Sequence, residues 1–248
     1  MKNTTISWTD HTFNPWWGCT QISPGCAKCY AKAIAERVGR KVWSKSSPRY
    51  VTAGPWAAVE RSNEEAGKAG RIDRVFCGSM MDIFEDHPTA NEARPRVWDL
   101  IRDCTNLDFQ LLTKRPENIA EMLPPDWGFG WDNVWLGTSI ESAEFADRAE
   151  YLRKIRARVH FISYEPALGP LAGALDLAEI DWLIYGGESG PSFRPDNLNW
   201  ARDMLHACRE AGVAFFFKQI AARRPGAEVE IDGELIQEFP AAARRSSR

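Results

Sequence analysis

The sequence predicts an α/β fold on a mainly parallel sheet, a partial or complete (β/α) barrel. From about residue 72 onward, short apolar runs alternate with polar or Gly-containing loops and helical stretches, the order of βαβ units. The runs also lack strict polar alternation, as expected of strands buried on both faces. Successive runs start roughly 22 to 35 residues apart, an ordinary spacing for such units. Periodicity alone leaves a doubly wound open sheet as the alternative.

The chain has 248 residues, enough to enclose a sizeable core, and its 44% hydrophobic and 26% charged residues argue against global disorder. No apolar run approaches the roughly 20 residues of a membrane span. Met1–Trp8 lacks the apolar stretch of a signal peptide, so a cytoplasmic protein is expected. A net charge of −3 excludes a globally basic nucleic-acid coat but leaves room for a local basic patch.

The elements follow in order. An early strand is expected at Thr5–Trp8, and helix formers run from Ala27 to Arg37 as the first barrel helix. Residues 40–72 read as an insertion with one helical piece. Strands are expected at Arg74–Gly78, Phe109–Leu112, Val134–Gly137, Val159–Ile162, Trp182–Tyr185 and Val213–Phe217, about seven in all with the early one. Helices are expected over 88–104, opened by Pro88, and over 142–156 and 197–211, each with apolar residues at helical spacing. Residues 1–220 then form one barrel domain. Residues 221–248 form an extension with a hairpin around Asp232-Gly233 and a frayed tail.

Three of the six cysteines, Cys19, Cys26 and Cys29, fall in a C-x6-C-x2-C cluster, with Pro24-Gly25 turning the chain before Cys26. Two thiolates across a C-x2-C where a loop enters a helix can share one centre with a third from the preceding loop. His11 could complete a Cys3His zinc set. Alternatively, three cysteines could hold an iron–sulfur cluster with one iron left open. Cys77, Cys104 and Cys208 are expected to be inert core thiols. Trp8, Phe13, Trp16 and Trp17 flank the cluster, as packing or as stacking surfaces for a base.

In a parallel barrel the residues just after each strand line one mouth. Here they are Ser79, Met80 and Asp82; Thr113, Lys114 and Arg115; Thr138, Ser139 and Glu141; Ser163 and Glu165; Glu188, Ser189 and Arg194; and Lys218 and Gln219. Together they predict a convergent polar pocket. Lys114, Arg115, Arg194 and Lys218 form a positive set suited to a carboxylate or phosphate, unless Glu165 and Glu188 pair with them. Lys114, Glu165, Glu188 and Lys218 are the candidate catalytic groups.

Several motifs carry a resemblance over nearly the whole chain. They include Phe13-Asn14-Pro15-Trp16, the cysteine segment through Tyr30-Ala31, Gly78-Ser79-Met80-Met81-Asp82 and Leu112-Thr113-Lys114-Arg115-Pro116. Trp135-Leu136-Gly137-Thr138-Ser139, Ser163-Tyr164-Glu165-Pro166 and Gly186-Gly187-Glu188-Ser189-Gly190 continue it. With these the sequence resembles a phage- and prophage-associated, radical-SAM-like family of largely unknown function. The resemblance implies a TIM-barrel-like radical S-adenosylmethionine (SAM) fold and a [4Fe–4S] cluster on Cys19, Cys26 and Cys29. It also implies SAM cleavage to a 5′-deoxyadenosyl radical, which requires an electron donor. It places Ser79, Met80 and Asp82 near the SAM amino group and makes Thr138, Ser139 and Glu141 candidates for the ribose and methionine ends. A nucleobase or DNA is the substrate class expected. The alternative is a zinc- or cluster-stabilised nucleic-acid-binding or partner protein without catalysis.

Overall fold

In the computed structural model, which describes residues 4–226 and 230–241, seven strands form one all-parallel sheet. They are β1 (His11–Phe13), β2 (Asp73–Cys77), β3 (Leu107–Thr113), β4 (Val134–Ser139), β5 (Val159–Tyr164), β6 (Trp182–Gly186) and β7 (Ala214–Gln219). Their order in the sheet is their order in the chain. A doubly wound sheet must reverse its strand order at a switch point, and this one does not. Every crossover therefore runs the same way. The helices cover one face, and the twisted sheet curls around the other as a half-barrel with β1 and β7 as its edges.

The six later strands lie where the apolar runs predicted, most extended by one to three residues. The first does not: Thr5–Trp8 is irregular, and β1 is the short run His11–Phe13, in register with Val75–Cys77. Helix α1 (Tyr30–Arg37) follows the cysteines but buries only Ala31 and Ala35. The crossover from β1 to β2 is completed by α2 (Pro55–Lys68), which puts Trp56, Val59 and Ala66 into the main core. The stretch 40–72, expected as an insertion, thus supplies a helix of the outer layer. Helices α3 (Pro88–Asp103), α4 (Ile119–Met122), α5 (Arg148–Arg153) and α6 (Leu198–Ala211) complete that layer. Asn197 caps α6 by accepting from the Asn199 N–H, and Gly212 ends it in the left-handed region.

Alternation sorts each strand into two faces. Val75 and Cys77, Val134 and Leu136, Ile162 and Tyr164, and Leu183 and Tyr185 pack toward the helices. Phe76, Trp135, Phe161, Trp182, Ile184 and Phe216 point inward, where Trp8 joins them. Trp182 is the hub, with ring centroids 5.2–6.1 Å from Trp8, Trp135, Phe161, Phe216 and Phe239. This aromatic plug fills the lower barrel and leaves the C-terminal mouth as the opening.

The predicted hairpin at Asp232-Gly233 is present, pairing Glu230–Ile231 with Glu234–Leu235. Beyond it, the Phe217 N–H donates to Ile236 O and the Glu238 N–H to Phe215 O, covering the edge of β7. The predicted frayed tail lies outside the described residues. No helix among the described residues is long and apolar enough to cross a membrane.

Candidate active site

The same alternation carries the inward face of each strand into the mouth. Past Phe76 stands Gly78, past Leu112 stands Lys114, and past Gly137 stands Ser139. Past Phe161 come Ser163 and Glu165, past Ile184 comes Glu188, and past Phe216 comes Lys218. Gly78, Lys114, Ser139, Ser163, Glu165, Glu188 and Lys218 border one cleft, together with Cys19, Cys26 and Cys29, Ser79, Asp82 and Arg115. The cleft holds about 1120 Å³ of empty space, part of it open to solvent, and reaches down to Trp8 and Phe76 on the plug.

Several residues tie the cysteine loop to the barrel. The Thr20 N–H donates to Glu85 Oε1 (2.7 Å), and Thr20 O accepts from Arg115 Nη2 (2.5 Å). Ser23 Oγ donates to Glu141 Oε1 (2.6 Å), Pro24 O accepts from Arg194, and Lys28 donates to Ser192 O. Pro24–Cys26 forms a single 3-10 turn, and Cys29 caps α1. Gly25 is required by contact: a Cβ there would lie 2.4 Å from Glu141 Oε1.

Around the mouth each predicted cation meets a carboxylate. Lys114 Nζ donates to Glu141 Oε1 (2.5 Å), Arg115 Nη1 to Asp82 Oδ2 (2.9 Å), Arg194 to Glu188 and Lys218 to Glu165. The positive set is therefore neutralised at the strand ends and offers little net attraction to an anion. Burial acts to raise the Glu141 carboxyl, but Lys114, Ser23 and Arg148 outweigh it and hold it below the usual carboxylate range. Glu188 is likewise held low, Arg194 outweighing its desolvation.

The cofactor-binding candidates divide. Ser79 and Ser139 line the cleft. Asp82 lines it too, yet its carboxylate accepts from Thr113 Oγ1 (2.7 Å), the Phe84 and Lys114 N–H groups and Arg115, so it organises the cleft wall. Met80 is buried outside the cleft and contributes only backbone, its N–H donating to Asn14 Oδ1 (2.8 Å). Thr138 shares the helix-facing side of β4 with Leu136 and donates to Thr113 O, away from the cleft. Glu141 is fully buried beneath the cysteine loop as its clamp. Of the Gly186-Gly187 pair, Gly186 packs on the Glu165 side chain and Gly187 on the backbone of Ile220 and Ala221. Their small size serves internal packing. Replacing Gly187 by alanine, whose Cβ would lie 2.0 Å from the Ala221 nitrogen, is expected to destabilise the fold by about 1–3 kcal/mol or more in denaturant titrations.

A family model described as "protein of unknown function (DUF5131)" matches residues 3–240. The chain belongs to the DUF5131 family. No curated protein matches it. Among solved structures, a spore photoproduct lyase mutant with dinucleoside spore photoproduct is similar at 13% identity and a TM-score of 0.45. The match covers 77% of this chain and 58% of that one, so the chain spans less than two thirds of that protein's length.

In this DUF5131 chain the donor set differs from the Cys3His set considered. His11 lies at the start of β1, at the opposite end of the barrel from the mouth, with Nε2 3.2 Å from Asp73 Oδ2. It cannot complete a Cys3His set. Among the described residues no group of three or more His, Cys, Asp or Glu is arranged to hold a single metal ion. Three thiols nonetheless border one cleft, with Arg115 Nη1 3.6 Å from Cys19 Sγ. Burial pushes the Cys19 and Cys29 thiols up, while Arg115 acts on the first, and backbone N–H groups of α1 and Lys114 act on the second, in the opposite sense. A closed zinc site needs four protein ligands, whereas a cluster with one open iron needs three thiolates, the number that border this cleft.

The sequence did not single out Asn14, Arg49 or Glu85. Asn14 bonds Ser79 Oγ and the Met80 N–H, holding the turn after β2; the misplaced first strand concealed it as a strand-end residue. Arg49 and Glu85 form a buried bidentate pair behind Thr20, and two charges 36 residues apart leave no local pattern. Phe13 and Trp16 are buried packing residues outside the cleft, and Trp8 is buried at its floor. Cys77, Cys104 and Cys208 are buried free thiols.

Proposed function

We propose that this protein is a radical-SAM-type enzyme, its Cys19, Cys26 and Cys29 holding a [4Fe–4S] cluster and its cleft receiving SAM and a substrate. The observation that carries this reading is the meeting of three thiols with the C-terminal mouth of a parallel half-barrel, where such folds place their chemistry. When bound, the cluster supplies one electron that cleaves SAM into methionine and a 5′-deoxyadenosyl radical able to take hydrogen from a substrate.

The chain's own residues orient and enclose. Glu141, Arg115 and Arg194 fix the cysteine loop, and the aromatic plug closes the barrel beneath the cleft to water. Ser79, Ser139 and Ser163 offer hydroxyls toward the hydroxyl, amino and carboxylate groups of SAM. Glu165 with Lys218, and Glu188 backed by Arg194, present charged groups on the cleft wall, where a polar substrate can exchange hydrogen bonds with them. Lys114, held on Glu141, lines the same cleft as Cys29. An external electron donor completes the requirement.

The test is anaerobic reconstitution with iron and sulfide, then reduction in the presence of SAM. Methionine and 5′-deoxyadenosine are expected in equal amounts. A colourless protein that takes up one zinc and leaves SAM intact would establish the non-catalytic alternative.

A further inference from the structure

A basic face with aromatic edges runs outward from the cleft along α1 and the loop after it. Residues 27–50 contain seven Lys or Arg and one acid, Glu36, a local charge of +6 in a chain of net −3. Three of the seven are engaged: Arg49 is buried on Glu85, Lys28 donates to Ser192 O, and Lys32 lies 3.9 Å from Glu36. Arg37, Arg40, Lys41 and Lys45 have no carboxylate within ion-pair distance among the described residues. Thus the cations predicted at the strand ends are neutralised, while those outside the cleft remain available.

Aromatic groups accompany them. On α1, Ala31 and Ala35 face the body, so Tyr30, Ile34 and Arg37 share the exposed side at i, i+4 and i+7. Tyr30 stands at the cleft wall 44% exposed, its ring fixed by donation from its hydroxyl to Ser79 O (2.9 Å). Trp43, on the same segment, lines the same cleft. Arg40 lies 3.3 Å from the ring centroid of the exposed Tyr50, a further planar surface beside the cations.

We propose that this face binds a single-stranded nucleic acid, with phosphates over Arg37, Lys41 and Lys45 and one base directed to the wall formed by Tyr30 and Trp43. The proposal rests on reading the cleft as the active site and names the class of its substrate. A strand alternates anionic phosphates with flat π-faces, the two chemistries this face combines. A duplex would have to extrude a base to reach a cleft of this depth. An anionic membrane would need a continuous apolar stripe, and α1 with its cap offers only Ile34 and Val38 beside Tyr30.

The test is fluorescence anisotropy of a labelled oligodeoxythymidylate, an oligouridylate and a duplex with the full chain across a sodium chloride series. Binding of a single strand is expected to weaken steeply with salt. The Arg37→Gln/Lys41→Gln/Lys45→Gln variant should flatten the log–log salt slope by about 2. Tyr30→Ala should weaken binding about tenfold, and Tyr30→Phe should retain it. Stronger binding of DNA or of RNA identifies the sugar. Absence of binding, wild-type binding by the triple variant, preference for the duplex, or preference for phosphatidylserine vesicles in cosedimentation would overturn the proposal. SAM cleavage without oligonucleotide binding would sink this inference alone. Charge-dependent binding without a cluster would sink the enzymatic reading alone.

Discussion

Replacing Arg49 by methionine is expected to lower the unfolding free energy by about 3–5 kcal/mol, measured by urea titration followed by tryptophan fluorescence. The guanidinium is fully buried and donates from Nε and Nη2 to Glu85 (2.8 Å each), from Nη2 to Thr20 Oγ1, and from Nη1 to the carbonyls of Val42, Ser44 and Ser47. Methionine fills much of the volume but strands the Glu85 carboxylate, which keeps only the Thr20 N–H (2.7 Å) and the more distant Arg115 (3.7 Å). Leaving a buried charge without its partner is the costly case. The effect also has a pH signature. Burial acts to raise the Glu85 carboxyl, but Arg49, Thr20 and Arg115 outweigh it and hold it below its ordinary value. Its contribution is therefore present above the unfolded carboxylate range and lost as pH falls through the lower folded value. The wild-type protein should lose stability across that acid window more steeply than the Arg49→Met variant. A change under 1 kcal/mol with an unaltered pH profile would show that the pair does not anchor the cysteine loop.

The second large effect is chemical. Cys26→Ala, made in the same reconstitution, is expected to lose most of its bound iron and to leave SAM intact, while unfolding close to the wild-type midpoint. Cys26 Sγ makes one weak hydrogen bond, with Ser23 Oγ at 3.5 Å, so truncation to alanine forfeits little bonding. Among the described residues no group of three or more His, Cys, Asp or Glu is arranged to hold a metal ion in its place. Serine at the same position tests the sulfur itself, since its volume is close but it is a poor ligand for iron. Full iron content and SAM cleavage in Cys26→Ala would remove the three-cysteine assignment.

How much of this was legible beforehand follows from the range of the interactions. Strands β2 to β7 are visible because a parallel strand buried on both faces leaves an uninterrupted apolar run such as Trp182–Tyr185. β1 was not, because three residues, His-Thr-Phe, carry too little pattern, whereas Ile6 and Trp8 mimic a strand while packing on the barrel floor. The convergence of strand ends was readable from fold class alone, but the facing of each residue needed the register. Thr138 and Ser139 are adjacent in sequence and sit on opposite sides of the sheet. Charge partners were the least legible. Lys114 with Glu141, Arg194 with Glu188 and Lys218 with Glu165 turn an expected anion-binding ring into struts, and only the closing of the barrel decides who meets whom.

Electron paramagnetic resonance of the reduced, reconstituted protein tests whether three cysteines present an open iron to SAM inside this cleft. A cluster signal is expected that changes shape when SAM is added and is absent from Cys26→Ala. A signal indifferent to saturating SAM, or no cluster in a protein that instead holds one zinc, would contradict that arrangement.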